Sequence, residues 1–526
     1  MATASPARSA LTTRLVALFF VPFLLLDFPR AAFAADPQLA RPAPSAPVAG
    51  PPVYDAVVVG AGVAGLVAAY TLRAQGLETL VLEARSVVGG RVASIAYGGG
   101  LSAEAGLQEL WDDNPLVGIA AELGIPLETH AAPTPYSSVE LEGRPFRLVG
   151  RSLDDHLRTF LADDERRALE TWLEGAASLL ARARGRGLAD PGIAALQSIS
   201  FAEWIRRDGS LSPRGASWLR LHIECELGSG WDGFSALFGL LELDFLLGDG
   251  QTYHSVVGGN TRLLEALAAA SGPVRFDARV TAIEQGGSLA APMRVVYERT
   301  GRVESVHARH VVVAIPFYRV LQLGFRPALT PDHERALGSL GFGQYATVHF
   351  VLAPAAAPAD TGTAGHPSAA DESVRRAGDG LDLEDVLLTD GPLGVVYDAT
   401  GPDAEGRRIL PLLLHGATAR ALHMTPRSAQ IDRLLAELEA RDPAVRARVL
   451  ETHVYTYHPA AIAVYGPGRS PLDADAELLR RPYGTVHFAG DYTEGGHSDG
   501  AAASGRRAAE QILDALDVAP TQGRSR

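Results

Sequence analysis

The 526-residue chain has no lysine; all 47 basic residues are arginine. A pyridoxal Schiff base and a Walker-type phosphate lysine both need that primary amine, so both are excluded. A GC-rich coding sequence is a sufficient cause of the bias. Cysteine is nearly as scarce. Cys225 is the single one, so no intramolecular disulfide can form and an oxidising compartment would leave no mark on the fold. It falls in a helical pattern, SWLRLHIECEL, where packing is its expected role. No His/Cys/Asp group has metal-ligand spacing. No basic run supports nucleic-acid binding, and the net charge is −14. An acidic surface suits cationic ligands and also serves plain solubility. A bilayer-spanning run is missing too. Leu15–Leu26 (LVALFFVPFLLL) is the longest apolar stretch near the N-terminus, short of the roughly 20 residues a span requires. Arg8 and Arg14 precede it, Asp27 and Pro29 follow, and Ala32-Phe33-Ala34 closes it. Residues 1–34 therefore read as a cleaved signal peptide, with export to the periplasm or beyond expected. Thr13-Arg14-Leu15 offers one arginine, which leaves the export route open.

Glycine is abundant where it matters. Val57–Val59 is a β-branched run of the kind buried on both faces of a parallel sheet. It ends in Gly60-Ala61-Gly62-Val63-Ala64-Gly65. Gly60 permits the tight turn, Gly62 lets backbone approach a pyrophosphate, and Gly65 allows close helix–strand packing. A helix from Leu66 to about Ala74 would turn its N–H groups and positive dipole end toward the phosphates. Thr79–Leu82 reads as the second strand, with Glu83 at its tip, placed to meet a ribose hydroxyl. Gly89-Gly90-Arg91 follows. A second pair of glycines suits close backbone approach to a flavin dinucleotide, with Arg91 to neutralise charge.

VGAGVAGL, VLEAR and VGGR, followed near the other end by FAGDYT and GAAASGRRAA, resemble the flavin-containing amine oxidase superfamily. That group includes monoamine, polyamine and L-amino acid oxidases, with protoporphyrinogen oxidase and carotenoid desaturases as relatives. VVGGNTRLLEALA, VRFDARVTAIE and HVVVAIPFYRVLQLGFRPAL extend the likeness from about Val53 to Leu513. The resemblance implies FAD, held non-covalently, since no cysteine stands shortly before the C-terminal motif. It implies roles for Glu83, Ala84 and Arg85 at the adenosine ribose, Gly90 and Arg91 along the pyrophosphate, and Val280 at the adenine edge. Gly490 and Asp491 would meet the ribityl–pyrophosphate region. A helix starting near Gly500 and Ala501 would direct its N–H groups at the flavin's pyrimidine oxygen, where reduction gathers negative charge.

The implied fold is α/β with two domains. A Rossmann-type FAD domain would be assembled from 53–110, 251–325 and 450–515, and a mixed α+β substrate domain from 111–250 and 326–449. Residues 35–52 read as a Pro/Ala linker, with 353–384 as a disordered insert and 516–526 as a disordered tail. Within the helical 151–250 region, Ser200-Phe201-Ala202-Glu203 has a capping-box pattern. Trp172, Trp204 and Trp218 lie on apolar stripes suited to a core.

By the resemblance, a hydride passes from a C–H beside nitrogen to flavin N5, and oxygen regenerates the flavin with release of peroxide. Many members place a lysine on a substrate-domain strand. The matching stretch, Gly341–Leu352, has Thr347 there, and arginine cannot act as a base in its place. Tyr457-His458 stand near the aromatic wall expected beside the flavin, with Tyr465 further on. His497 lies inside the C-terminal motif and could orient substrate. Gln108, Glu109 and, more weakly, His254 are further candidates. The expected partner is a small molecule, an amine or amino acid. The missing lysine keeps open a desaturase of an isoprenoid or porphyrinogen-like substrate. A non-catalytic flavin-binding protein is the third possibility.

Overall fold

Val53–Val59 is apolar on both sides because both sides are covered. The computed structural model describes residues 53–131, 136–150, 152–243, 252–286, 293–354, 386–396, 401–457 and 459–517. In it this strand runs parallel to Thr79–Leu82 on one flank and to Arg302–Val313 on the other. Val57 faces Leu80 and Val311 in register, and all of Ala56, Val57, Val58, Val311 and Val312 are fully buried. The signal segment, the linker, His458, the 355–385 part of the insert and the tail from 518 lie outside the described residues.

The sheet built on this strand has eight members. Val274–Arg275 extends it past Thr79–Leu82, and Met293–Arg299, Arg279–Glu284 and Gly324–Arg326 extend it past Arg302–Val313. Val486–Phe488 joins Arg302–Val313 in parallel. Segments distant in sequence thus converge on one edge, where strand ends meet helix starts. The helix Val63–Ala74 and the C-terminal helix His497–Ala515 share a small-residue core of Ala64, Ala68, Ala501, Ala502 and Ala508. Gly505 makes their approach possible, because a Cβ there would lie 2.2 Å from the carbonyl oxygen of Ala64.

A second sheet of seven strands centres on Tyr345–Leu352, antiparallel to Arg408–His415 and Val449–Thr456. The pairing of Val449–Thr456 moves the boundary drawn at residue 450. That strand belongs with the second sheet, whose hydrogen bonds it completes. Helices Gly416–Met424 and Arg427–Glu439 contribute to an apolar core with the same sheet.

The tryptophans expected in the core are there: Trp172 and Trp218 are buried, and Trp204 packs against Trp172 at 5.1 Å between ring centroids. The Ser200 cap is half of what the pattern predicts. Its hydroxyl accepts from the Glu203 N–H at 3.1 Å. Glu203 does not return the bond; it pairs with Arg206 and Arg207 on its own helix. Two adjacent guanidinium groups outcompete one backbone N–H.

Candidate active site

The glycine turn is a backbone construction. Gly60 adopts φ +104°, and a Cβ on it would lie 2.6 Å from the Ala314 carbonyl oxygen. A Cβ on Gly65 would lie 2.0 Å from the Gly60 carbonyl oxygen. Around Gly62 the space is open, the nearest neighbour of a would-be Cβ being Gly90 Cα at 3.9 Å. The helix starts at Val63, three residues earlier than the sequence suggests, with no side-chain cap and no acidic residue in its first turn. Its first N–H groups are left for a ligand, and an anionic one is what that end of a helix favours.

The Gly-Gly-Arg turn is locked to this cradle. The Gly89 N–H donates to the Ala61 carbonyl at 2.9 Å. Glu83 is buried, and its carboxylate accepts from the Ala61 and Arg85 N–H groups, both at 2.8 Å. Ala84 is exposed beside it. Arg85 donates to the Gly90 carbonyl at 3.0 Å. Ala278 donates to the Glu83 carbonyl, which brings Val280, beside a register irregularity in its strand, to the same edge.

Arg91 and Asp491 link the N-terminal and C-terminal motifs directly. The guanidinium donates twice to the carboxylate, both at 2.8 Å, a bidentate geometry. Asp491 also accepts from the Ala463 N–H at 2.9 Å. Burial alone would lower the Arg91 pKa; the Asp491 carboxylate outweighs it and raises it. Gly490 is fixed through its N–H to the Ser504 hydroxyl at 2.8 Å.

The C-terminal helix begins at His497, not near Gly500. His497 takes the left-handed φ of 64°, uncommon outside glycine. Gly500 and Ala501 are thereby in the first turn and a little beyond. A Cβ on Gly500 would lie 2.3 Å from the Gly495 carbonyl oxygen. His497 Nε2 lies 3.3 Å from Glu226 and 3.6 Å from Glu242. Burial would lower its pKa, but Glu226 and Glu242, with Asp499 and Asp491 behind them, outweigh burial and raise it. Glu242 is held up to about 7, chiefly by burial, with His497 pulling back. Glu109 is likewise pushed to about 7, by burial and then by Glu226. Glu226 is raised for the same first reason. No arginine forms an ion pair with Glu109, Glu226 or Glu242 among the described residues.

Other candidates separate. Tyr457 packs on the Gly106 turn, where a Cβ on Gly106 would lie 2.9 Å from its Oη. Burial pushes its phenol up to about 12, against the pull of Arg85 and Arg91. Tyr465 is fully buried, donates to the Tyr492 carbonyl at 2.7 Å and packs at a tilt against Phe238; it is core, not wall. Gln108 folds back onto the carbonyls of Glu104 and Gly106. His254 pairs with Asp112 at 2.8 Å on the small sheet formed by Leu110–Trp111, Thr252–Val256 and Leu127–Ala131. Thr347 is buried, and its hydroxyl donates to the Ala105 carbonyl at 3.3 Å. Its one proton is committed there, so it can offer a water only acceptor lone pairs.

Glu226 and Glu242 were missed in the sequence. Their signal was weak: Glu242 is the lone acid of an apolar helical run (ALFGLLEL), while Glu226 shares its run with Glu224 (LHIECEL).

The sequence profile described as flavin containing amine oxidoreductase matches residues 63–513. A Mycobacterium tuberculosis (H37Rv) protein bearing a flavin-containing monoamine oxidase name, AofH, is 28% identical over 495 residues, 89% of this chain and 99% of that protein. Putrescine oxidase of Kocuria rosea is 29% identical over 324 residues, 56% of this chain and 64% of that enzyme. The solved structure of cyclohexylamine oxidase from Brevibacterium oxydans IH-35A superposes with a TM-score of 0.69 at 21% identity, covering 89% of this chain and 100% of that one. At that identity the likeness speaks to the fold.

Proposed function

The chain belongs to the flavin-containing amine oxidoreductase family, and from that premise we propose that it oxidises amines carrying a second cationic group. It is an FAD-dependent oxidoreductase. Bound FAD supplies a two-electron acceptor for the hydride of a C–H beside nitrogen, with oxygen as the terminal oxidant and peroxide as product. The residues fit that group. The open space over Gly62 and Gly90, the uncapped helix at Val63, Glu83 and the Arg91–Asp491 pair would hold it.

One observation carries the substrate reading: Glu109, Glu226 and Glu242 gather around His497 with no arginine paired to them among the described residues. A carboxylate pushed to about 7 by burial gains most from a cation brought beside it. The same cluster would repel the α-carboxylate of an amino acid. An isoprenoid or porphyrinogen-like substrate would press hydrocarbon on three half-buried acids, a cost nothing offsets. The reacting nitrogen must lose its proton before its C–H can donate a hydride. The cluster therefore suits a charge elsewhere on the substrate. Putrescine, named for one relative, has that form.

Peroxide release from purified holoenzyme tests this. A diamine should surpass the monoamine of equal carbon number roughly 10- to 100-fold in kcat/KM, the worth of one charged hydrogen bond. Preference for L-amino acids, or equal rates with mono- and diamine, would defeat the reading. The N-terminal pattern of Arg8, Arg14, Leu15–Leu26 and Ala32-Phe33-Ala34 supports export as part of the same proposal. N-terminal sequencing of secreted protein should give Ala35.

A further inference from the structure

Tyr345–Leu352 turns two side chains, Thr347 and His349, toward the same turn of chain. Thr347 donates to the Ala105 carbonyl at 3.3 Å. His349, fully buried, contacts the Glu104 carbonyl through Nε2 at 3.2 Å. Its other nitrogen, Nδ1, lies 2.6 Å from Tyr97 Oη, and Tyr97 Oη lies 3.1 Å from Tyr455 Oη.

The proton positions follow from chemistry. A backbone carbonyl only accepts, so Nε2 carries the hydrogen. In the neutral ring Nδ1 must then accept, which makes Tyr97 the donor to it. Tyr97 in turn has a lone pair for the Tyr455 hydroxyl. The ring stays neutral across the working range, because burial pushes His349 down to about 4.

The turn so held touches groups named above. A Cβ on Gly106 would lie 1.9 Å from the Arg91 carbonyl oxygen and 2.9 Å from Tyr457 Oη. Leu107 donates to the same Arg91 carbonyl, and Ala105 donates to Ala93. The far side is held as well: Glu104 accepts from Ser94 and from the Asn260 N–H, and the Asn260 side chain donates to the Leu107 and Gln108 carbonyls. A shift of the turn would move Arg91 or Tyr457 with it.

We propose that His349, oriented by Tyr97 and Tyr455, is a positioning residue that sets the Glu104–Gly106 turn, and with it Tyr457 and Arg91, against the bound flavin. The assignment rests on the functional reading given above. His349 touches no reacting atom and transfers no proton.

The test compares His349→Leu, His349→Gln and Tyr97→Phe as FAD-loaded proteins. Two readouts need no substrate: visible-range circular dichroism of the bound flavin, and the rate of FAD release on dilution. His349→Leu should alter the flavin dichroism, release FAD faster, and lower kcat roughly 10- to 100-fold, the cost of a displacement near 1 Å, with KM changed less than about threefold. His349→Gln retains an N–H donor toward Glu104 and should recover most of the loss. Tyr97→Phe keeps the ring volume and should act in the same direction, more weakly; it decides the matter if His349→Leu fails to fold. The pH profile of wild-type kcat should show no inflection that disappears in His349→Gln. Unchanged dichroism and FAD release in both His349→Leu and Tyr97→Phe would overturn the proposal. So would a wild-type inflection lost in His349→Gln, since His349 would then be an acid–base group. If no amine reduces the wild-type flavin, the functional reading fails while dichroism and FAD release still decide this one.

Discussion

Glu242→Gln isolates the charge from the shape. The amide keeps the volume and can still accept from the Gly496 backbone, which now bonds the carboxylate. It removes one of the two carboxylates beside His497, the one at 3.6 Å. Two effects follow with opposite signs. A cation held by this carboxylate loses a charged hydrogen bond worth about 1.5–3 kcal/mol, so KM for a diamine should rise roughly 10- to 150-fold. KM for the matching monoamine should move little. The fold, in contrast, should become more stable. A carboxyl raised from 4.5 to about 7 binds its proton more tightly folded than unfolded. Its stabilising contribution is complete below about pH 4.5 and is lost as pH rises through about 7, up to about 3 kcal/mol in all. The variant escapes that loss, so its Tm should exceed wild type by roughly 1–3 °C near pH 8 and match it near pH 4. Steady-state kinetics with the diamine–monoamine pair and calorimetry at the two pH values check both arms. An unchanged diamine KM together with a lower Tm at the higher pH would show that Glu242 is an internal structural partner of His497, and the reasoning would fail.

Four further outcomes are expected. Arg91→Leu leaves the Asp491 carboxylate buried with only the Ala463 N–H, and should lower stability by about 3–5 kcal/mol in urea unfolding and weaken FAD retention. Gly505→Ala forces a methyl to 2.2 Å from the Ala64 carbonyl oxygen, costing about 1–3 kcal/mol by the same assay. Gly118→Ala, in the helix Pro115–Glu122 with nothing within 4 Å of the new methyl, should instead stabilise by up to about 1 kcal/mol. Glu83→Ala strands the Ala61 and Arg85 N–H groups and should raise the FAD dissociation constant at least roughly tenfold, measured by flavin fluorescence on dilution.

The dinucleotide end of the fold was legible because its determinants are local. Gly60 and Gly65 sit five residues apart in one turn, where a Cβ on Gly65 would strike the Gly60 carbonyl, and Glu83 reaches back to Ala61 across one strand–helix–strand unit. Helix starts were read less well. Val63 and His497 both precede the expected positions; each follows a glycine N-cap with no side-chain cap to mark the start, and His497 is in the left-handed region. The strand Val449–Thr456 pairs with Tyr345–Leu352, a partner about a hundred residues away that no local pattern in 450–515 announces. The acidic cluster was the least legible part. Glu109 and His497 come from segments far in sequence from Glu226 and Glu242, and only the tertiary fold brings the four together and half-buries them. For Thr347, sequence supplied the position but not the Ala105 carbonyl that takes its proton.

The central claim is that this enzyme takes electrons from a cationic amine. Anaerobic addition of a short diamine to the FAD-loaded protein tests it directly, with loss of the oxidised flavin's visible absorbance as the readout. The account predicts complete bleaching by about one equivalent of diamine, slower bleaching by the monoamine, and none by the L-amino acid of the same carbon number. Bleaching by the amino acid alone, or by no amine at all, would contradict it.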